Sequence, residues 1–204
     1  MNNIKNIIFD FGGIFIDIDY QKTEQAFIDA GIINFPELYS QHHASSLFED
    51  LETGKISPEQ FYETFRKTAN SSLSNEKIEL AWNAMLGNFL LEELNWLDSI
   101  KDKYKLFLYS NTNQIHYNAF SKAFEQVTRK KSFDDHFIKA YYSHSLGLRK
   151  PYKESFEKIL EEQNLLAGET VFIDDTIKNI EGAKLAGLQT ILLTPPERVS
   201  QLGL

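Results

Sequence analysis

The sequence predicts an α/β fold: a Rossmann-like parallel sheet with a small helical cap domain inserted after the first strand. Three observations lead there. Short apolar runs alternate with helical segments through the second half of the chain, the pattern of strands covered on both faces. Several of those runs end in acids, amides or hydroxyls. Residues 18–98, between the first run and the second, carry a helical pattern throughout, far longer than an ordinary crossover.

The strand-like runs are "IKNIIFDF" (4–11), "KLFLYSN" (105–111), "TVFIDD" (170–175) and "QTILLT" (189–194), with "FIKAYYSH" (137–144) as a less regular fifth. Helical segments separate them: "NQIHYNAFSKAF", "PYKESFEKILEEQN" and "TIKNIEGAKLAG". The insert reads as "DYQKTEQAFIDAG", then one helix from Pro36 to Gly54, then "SPEQFYETFRKTA" with a Ser57–Gln60 capping box and Pro58 at the first helical position. A further helix starts after Ser74, and "LLEELNWLDSI" leads back to the sheet. The division is therefore a core of residues 1–17 and 99–204 and a helical cap of residues 18–98. Gly12 and Gly13 sit where the first strand loosens into the insert.

Composition narrows the function. In a chain of 204 residues, 42% are hydrophobic, with 16 Phe and 9 Tyr, ample for one core with a smaller insert. A formal charge of −8 argues against nucleic-acid binding, which depends on neutralising phosphates with Lys and Arg. The absence of cysteine excludes disulfides and thiolate zinc sites. The apolar runs are strand-sized, so neither a signal peptide nor a membrane span is expected, and the chain reads as a cytoplasmic protein with nothing requiring more than a monomer.

In an open parallel sheet, ligands bind beyond the carboxyl ends of the strands. Those ends carry Asp10, then Ser110-Asn111-Thr112, then Asp174-Asp175, while "SLGLRKPYKESF" delivers Lys150 just before Pro151, which reads as the first position of a helix. A carboxylate, a hydroxyl and amide pair, a cation and two more acids thus converge on one edge. These residues resemble the haloacid dehalogenase (HAD) superfamily of phosphohydrolases over almost the entire chain. "FDFGGIFIDID" is similar to its first motif, "LYSNTN" to the second, "LGLRKP" to the third and "VFIDDTIKNIEGAKLAG" to the fourth. Within the superfamily the likeness is to the bacterial branch that includes α-D-glucose-1-phosphate phosphatase.

The resemblance implies a Mg²⁺-dependent phosphomonoester hydrolase acting on a small phosphorylated metabolite, with a glucose-1-phosphate-like sugar phosphate as the expected substrate. Asp10 would attack phosphorus and form an aspartyl-phosphate. Asp10, the carbonyl of Gly12 and Asp175 would hold the ion, with Asp174 a further ligand or a supporting partner. Lys150 would balance charge on Asp10 and the phosphoryl group, which Ser110 and the backbone N–H of Asn111 would bind.

Plainer readings stand beside these. Asp10 could simply end a strand, Asp174-Asp175 could cap the next helix, Ser110-Asn111 could be turn chemistry and Lys150 a solvated lysine. His42 and His43 read as surface residues, His116, six residues beyond Ser110, as a helix-surface residue that could instead face the site, and Trp82 and Trp96 as core. Phosphatases of the superfamily usually carry a second Asp two residues after the nucleophile, as acid and base. Here that position is Gly12, which removes help typically worth about 10²–10⁴-fold. Asp17 and Asp19 are the nearest acids. Two alternatives follow: a metal-independent 2-haloacid dehalogenase, which needs no proton donor, or a catalytically weak phosphate-binding or regulatory protein of the same fold.

Overall fold

In the computed structural model, described for residues 3–40 and 43–204, strand β1 (Asn6–Phe9) and strand β2 (Ile16–Ile18) lead into helices α1 (Tyr20–Asp29) and α2 (Phe35–Leu38). Short strands β3 (Tyr39–Ser40) and β4 (His43–Ala44) follow, then helices α3 (Ser46–Glu52), α4 (Pro58–Thr68) and α5 (Asn75–Asn83). Strand β5 (Leu86–Phe89) and helix α6 (Leu91–Ile100) return the chain to β6 (Lys105–Ser110) and α7 (Gln114–Thr128). The remainder is β7 (Lys139–Tyr142), α8 (Ser143–Leu146), α9 (Lys153–Glu162), β8 (Thr170–Asp174), α10 (Ile177–Leu185) and β9 (Gln189–Leu192).

Every strand predicted for the sheet forms, in the order β7-β6-β1-β8-β9 with all neighbours parallel. Side chains alternate across the sheet. Ile7 and Phe9 join Leu106, Leu108, Val171 and Ile173 on the face covered by α6 and α7, while Ile8 joins Phe107 and Phe172 on the face covered by α9 and α10. Both faces are dry, which is why the strands read as continuous apolar runs. From β1 the chain builds outward through β6 and β7, then crosses to the other side of β1 for β8 and β9. That reversal is a topological switch point, and Asp10 and Asp174 stand on it.

The helices α1 to α5 bury a separate cluster around Phe27, Phe35, Phe48, Phe61, Phe65 and Trp82. The α4 capping box forms as read: Gln60 N–H donates to Ser57 Oγ, and Gln60 Oε1 accepts from the Ser57 N–H. Ser74 likewise caps α5. Two expectations for this region are corrected. The insert is not wholly helical, because β2 and β5 pair antiparallel as a ribbon at its root. The alternation in "IFIDI" hinted at a strand, but its partner lies far along the chain. Nor do residues 36–54 form one helix. The polar run "SQHHAS" offers no face to bury, and β3 and β4 pair there instead, before α3 begins. The expectation for His42, and that for the His43 side chain, lie outside the described residues. Among the described residues, no helix is long and apolar enough to cross a membrane.

A third correction bears on the site. Pro151 does not open a helix; it stands in a turn, and α9 begins at Lys153 with Tyr152 as its N-cap. What holds this turn down is Gly182 of α10, where an added Cβ would run into the carbonyl of Pro151. Gly182→Ala must therefore push α10 and the Lys150 loop apart, an overpacking that typically costs about 1–3 kcal/mol. Urea unfolding of this variant should show that loss. Stability equal to the parent's would mean that α10 does not set the height of the loop.

Candidate active site

Parallel register aligns the strand ends. Phe9 is level with Leu108 on one side and Ile173 on the other, so the next residues, Asp10 and Asp174, emerge side by side. The Asp10 N–H donates to the Ile173 carbonyl at 2.9 Å, fixing its backbone at the mouth of the sheet. Lys150 is 1% exposed, and its Nζ lies 2.6 Å from Asp10 Oδ1 and 2.8 Å from Asp174 Oδ2. The loop behind it is clamped by Asn111, whose Oδ1 accepts from the Lys150 N–H (2.9 Å) and whose Nδ2 donates to the Lys150 carbonyl (3.0 Å). Ser110 ends β6, buried at the rim of the same cavity.

Asp174 is fully committed. Its Oδ1 accepts from the Thr176 N–H (2.7 Å) and Asn179 Nδ2 (3.1 Å), and its Oδ2 from Lys150 and Asn179 Nδ2 (3.0 Å). Thr176, not either aspartate, is the N-cap of α10. Asp175 Oδ1 accepts from Thr176 Oγ1, and its Oδ2 lies against Gly13. Gly13 has φ +72°, and a Cβ there would collide with that oxygen, so the position demands glycine twice over. Gly12 bears no side chain. A Cβ there would stand 3.1 Å from Ile18 Cγ1, so a side chain at this position would need Ile18 of the ribbon to give by a few tenths of an ångström.

One carboxylate oxygen from each of Asp10, Asp174 and Asp175 lies within 4.8 Å of the others, a group able to hold a metal ion. Charge balance supports that. Three acids face one ammonium. Burial, then Asp174 and Asp175, push Asp10 up to about 7 against the pull of Lys150. Asp175 is raised too, by burial and by Asp174. Burial opposes the Lys150 charge, but Asp10 and Asp174 outweigh it and hold the ammonium above the usual range.

Above Asp10 opens a cavity of about 620 Å³, roofed by the helical cap. Sequence reasoning missed most of its wall. Arg149, the neighbour of Lys150, reaches up to α3, with Nη1 3.0 Å from Glu49 Oε1 and Nη2 3.2 Å from Glu52 Oε2. Tyr20 and Tyr39 also line it, their phenols raised by burial and by Glu52. His116 corrects another expectation: it is not on the surface but 6% exposed, stacked on Trp82 with its Nδ1 2.8 Å from Asn83 Oδ1, and burial lowers its pKa to about 3. Asn179 carried a legible signal, as the amide one helical turn past the acid pair. Glu52 and Tyr39 carried none, because their partners come from distant elements.

A buried lysine between acids at the switch point of a doubly wound sheet, with a cap over it, marks the ligand site of an α/β protein. The profile of the haloacid dehalogenase-like hydrolases matches residues 4–187, and the chain belongs to that family. It is 33% identical to the D-ribitol-5-phosphate phosphatase of Bacteroides thetaiotaomicron over 92% of this chain and 90% of that protein. It is 28% identical to a sesquiterpene phosphatase of Aspergillus oryzae over 93% of this chain and 90% of that one. Among solved structures, a HAD-family enzyme of B. thetaiotaomicron, an Asp-to-Ala mutant in complex with magnesium and inorganic phosphate, superposes with a TM-score of 0.91, 30% identity and 98% coverage of both chains.

The raised Asp10 carboxyl has a consequence for stability. Between about pH 4 and about pH 7 the folded protein keeps a proton on Asp10 that the unfolded chain has released, so its contribution to stability falls as pH rises through that window. With divalent ions removed by EDTA, the unfolding free energy of the parent should drop relative to Asp10→Asn across this range. A flat difference would mean that Asp10 stays ionised throughout.

Proposed function

We propose that the chain is a Mg²⁺-dependent phosphomonoesterase acting on a small polyhydroxylated phosphate. The observation that carries this reading is the Asp10–Lys150–Asp174 bridge at the switch point, with two carboxylate oxygens left over. Asp10 Oδ2 and Asp175 Oδ2 accept no protein hydrogen bond among the described residues, and with the Gly12 carbonyl they are the atoms to hold the ion. Asp174, with four hydrogen bonds from three donor groups, holds Lys150 and Asn179 in place. Bound there, the ion screens Asp10 from the phosphate dianion and draws charge from the phosphoryl oxygens. Asp10 is the nucleophile: its carboxylate attacks phosphorus as the bond from phosphorus to the alcohol oxygen breaks, giving an acyl phosphate and an alcohol whose oxygen takes its proton from water. A second water then hydrolyses the acyl phosphate to release inorganic phosphate. Two of the Lys150 N–H bonds go to carboxylates, which leaves the third for a phosphoryl oxygen. Ser110 and the amide of Asn111 complete the cradle.

The leaving oxygen finds no side chain at Gly12. Asp17 points to solvent, and Asp19 accepts the Gln21 N–H as the cap of α1 while bordering the cavity. A metal-independent displacement at carbon would leave the free oxygen of Asp175 without a task, and a mere phosphate binder has no use for a nucleophile. The relative that acts on D-ribitol-5-phosphate, the glucose-1-phosphate branch that the motifs resemble and the polar cavity all favour a sugar or polyol monophosphate.

Phosphate release from a sugar- and polyol-phosphate panel should require Mg²⁺, stop in EDTA and vanish in Asp10→Asn. Lys150→Met should lower kcat by about 10²–10³-fold, as for removal of a charged donor at a developing charge. Undiminished release in Asp10→Asn would sink the mechanism.

A further inference from the structure

We infer that Tyr20, Tyr39, Glu52 and His116 form a subsite that reads the hydroxyl groups of the substrate, making a neutral polyol or sugar carrying a single phosphate the class this enzyme selects. The inference rests on the phosphomonoesterase reading above and adds to it which residues choose the alcohol half of the ester.

Buried polar atoms without partners call for an explanation, and here they cluster. Among the described residues, seven buried side-chain atoms lack a hydrogen bond, and three belong to residues lining this cavity: Glu52 Oε2, His116 Nε2 and Arg149 Nε. Glu52 is 8% exposed, and although Arg149 Nη2 stands at ion-pair distance, its N–H is misaligned for a hydrogen bond. The hydroxyls of Tyr20 and Tyr39, on the same wall, also make no hydrogen bond among the described residues. Glu52 Oε2, His116 Nε2 and Arg149 Nε are closed to a molecule the size of water, so solvent does not offset the loss there, and a ligand that shifts these side chains slightly on entering would.

The chemistry of the unmet groups identifies that ligand. Asn83 presents its oxygen to His116 Nδ1, so the proton sits on Nδ1 and Nε2 keeps a lone pair. Glu52 Oε2 is also an acceptor, Arg149 Nε is a donor, and the phenols serve as either. A row of hydroxyls, each donating and accepting, matches this mixture. A second phosphate or a carboxylate does not, because Glu49 and Glu52 outnumber the one cation between them. An isoprenoid chain would leave every one of these groups buried and unmet.

The test compares D-ribitol 5-phosphate with n-pentyl phosphate, of equal carbon count but lacking the hydroxyls. The parent should favour the polyol ester by about 10²-fold or more in kcat/KM, and Tyr39→Phe and His116→Phe should each cut that ratio by about tenfold. Tyr39→Phe deletes a single oxygen, so it keeps the test valid should His116→Phe fold poorly. Equal turnover of the two esters by the parent, or substitutions that lower both alike, would overturn the subsite. Calorimetric binding to Asp10→Asn separates this inference from the activity. If the parent hydrolyses nothing yet Asp10→Asn binds the polyol ester more tightly than the pentyl ester, the subsite stands and the phosphatase reading falls. Equal binding overturns the subsite.

Discussion

The structure turns on one buried ammonium. Lys150 sits between the carboxylates of two adjacent strands, Asp10 and Asp174, with almost no contact with solvent. Each charge there is tolerable because the others are present. Removing Lys150 would leave the buried carboxylates uncompensated, typically a loss of about 3–5 kcal/mol. The requirement propagates outward. Parallel pairing of β1 with β8 brings the acids level, Asn111 clamps both main-chain groups of Lys150, and Gly182 lets α10 close beneath Pro151. Asn179 and the Thr176 amide then hold Asp174 in its rotamer. Packing, hydrogen bonding and electrostatics all serve to keep one carboxylate aligned and one cation beside it.

The same short loop also reaches the cap. Lys150 points into the core, while Arg149, one residue earlier, pairs with Glu49 and Glu52 on α3. Close to that bridge, Gly54, at φ +67°, passes the carbonyl of His144 so tightly that a Cβ would collide with it. On the other side of the cavity, His116 of α7 bonds Asn83 and stacks on Trp82, both of α5. The cap therefore meets the core through polar and close-packed contacts, and its own aromatic cluster is separate from those of the sheet. Ile115 of α7 is buried in the cap's cluster, and Ile18 and Leu86 pack against both the cap and sheet clusters, so apolar as well as polar contacts tie the roof to the core.

The absence of an acid at Gly12 takes on a physical meaning in this setting. Ile18, from the ribbon that joins cap to core, occupies the neighbouring space, so the glycine is part of how the hinge packs.

By itself, the sequence determined the alternation of strands and helices, the acids at the strand ends and the capping of α4 and α5. These are local matters: an apolar run with a polar terminus or a Ser-x-x-Gln start needs no distant partner to be read. Asp10, Lys150, Ser110, Asn111, Asp174 and Asp175 were legible for the same reason, being strand or loop ends in a recognisable order. Tertiary structure alone decided the rest. Whether Asp174 has an oxygen to spare depends on Lys150 and Asn179. Whether His116 is surface or wall depends on Trp82 and Asn83, and whether Ile16–Ile18 is a strand depends on Leu86–Phe89. The β3–β4 pair and the Glu52–Arg149 bridge are likewise products of pairing. A residue's chemistry is written in its own side chain, but its task is set by what the fold brings within about 3 Å of it, and no local pattern encodes that.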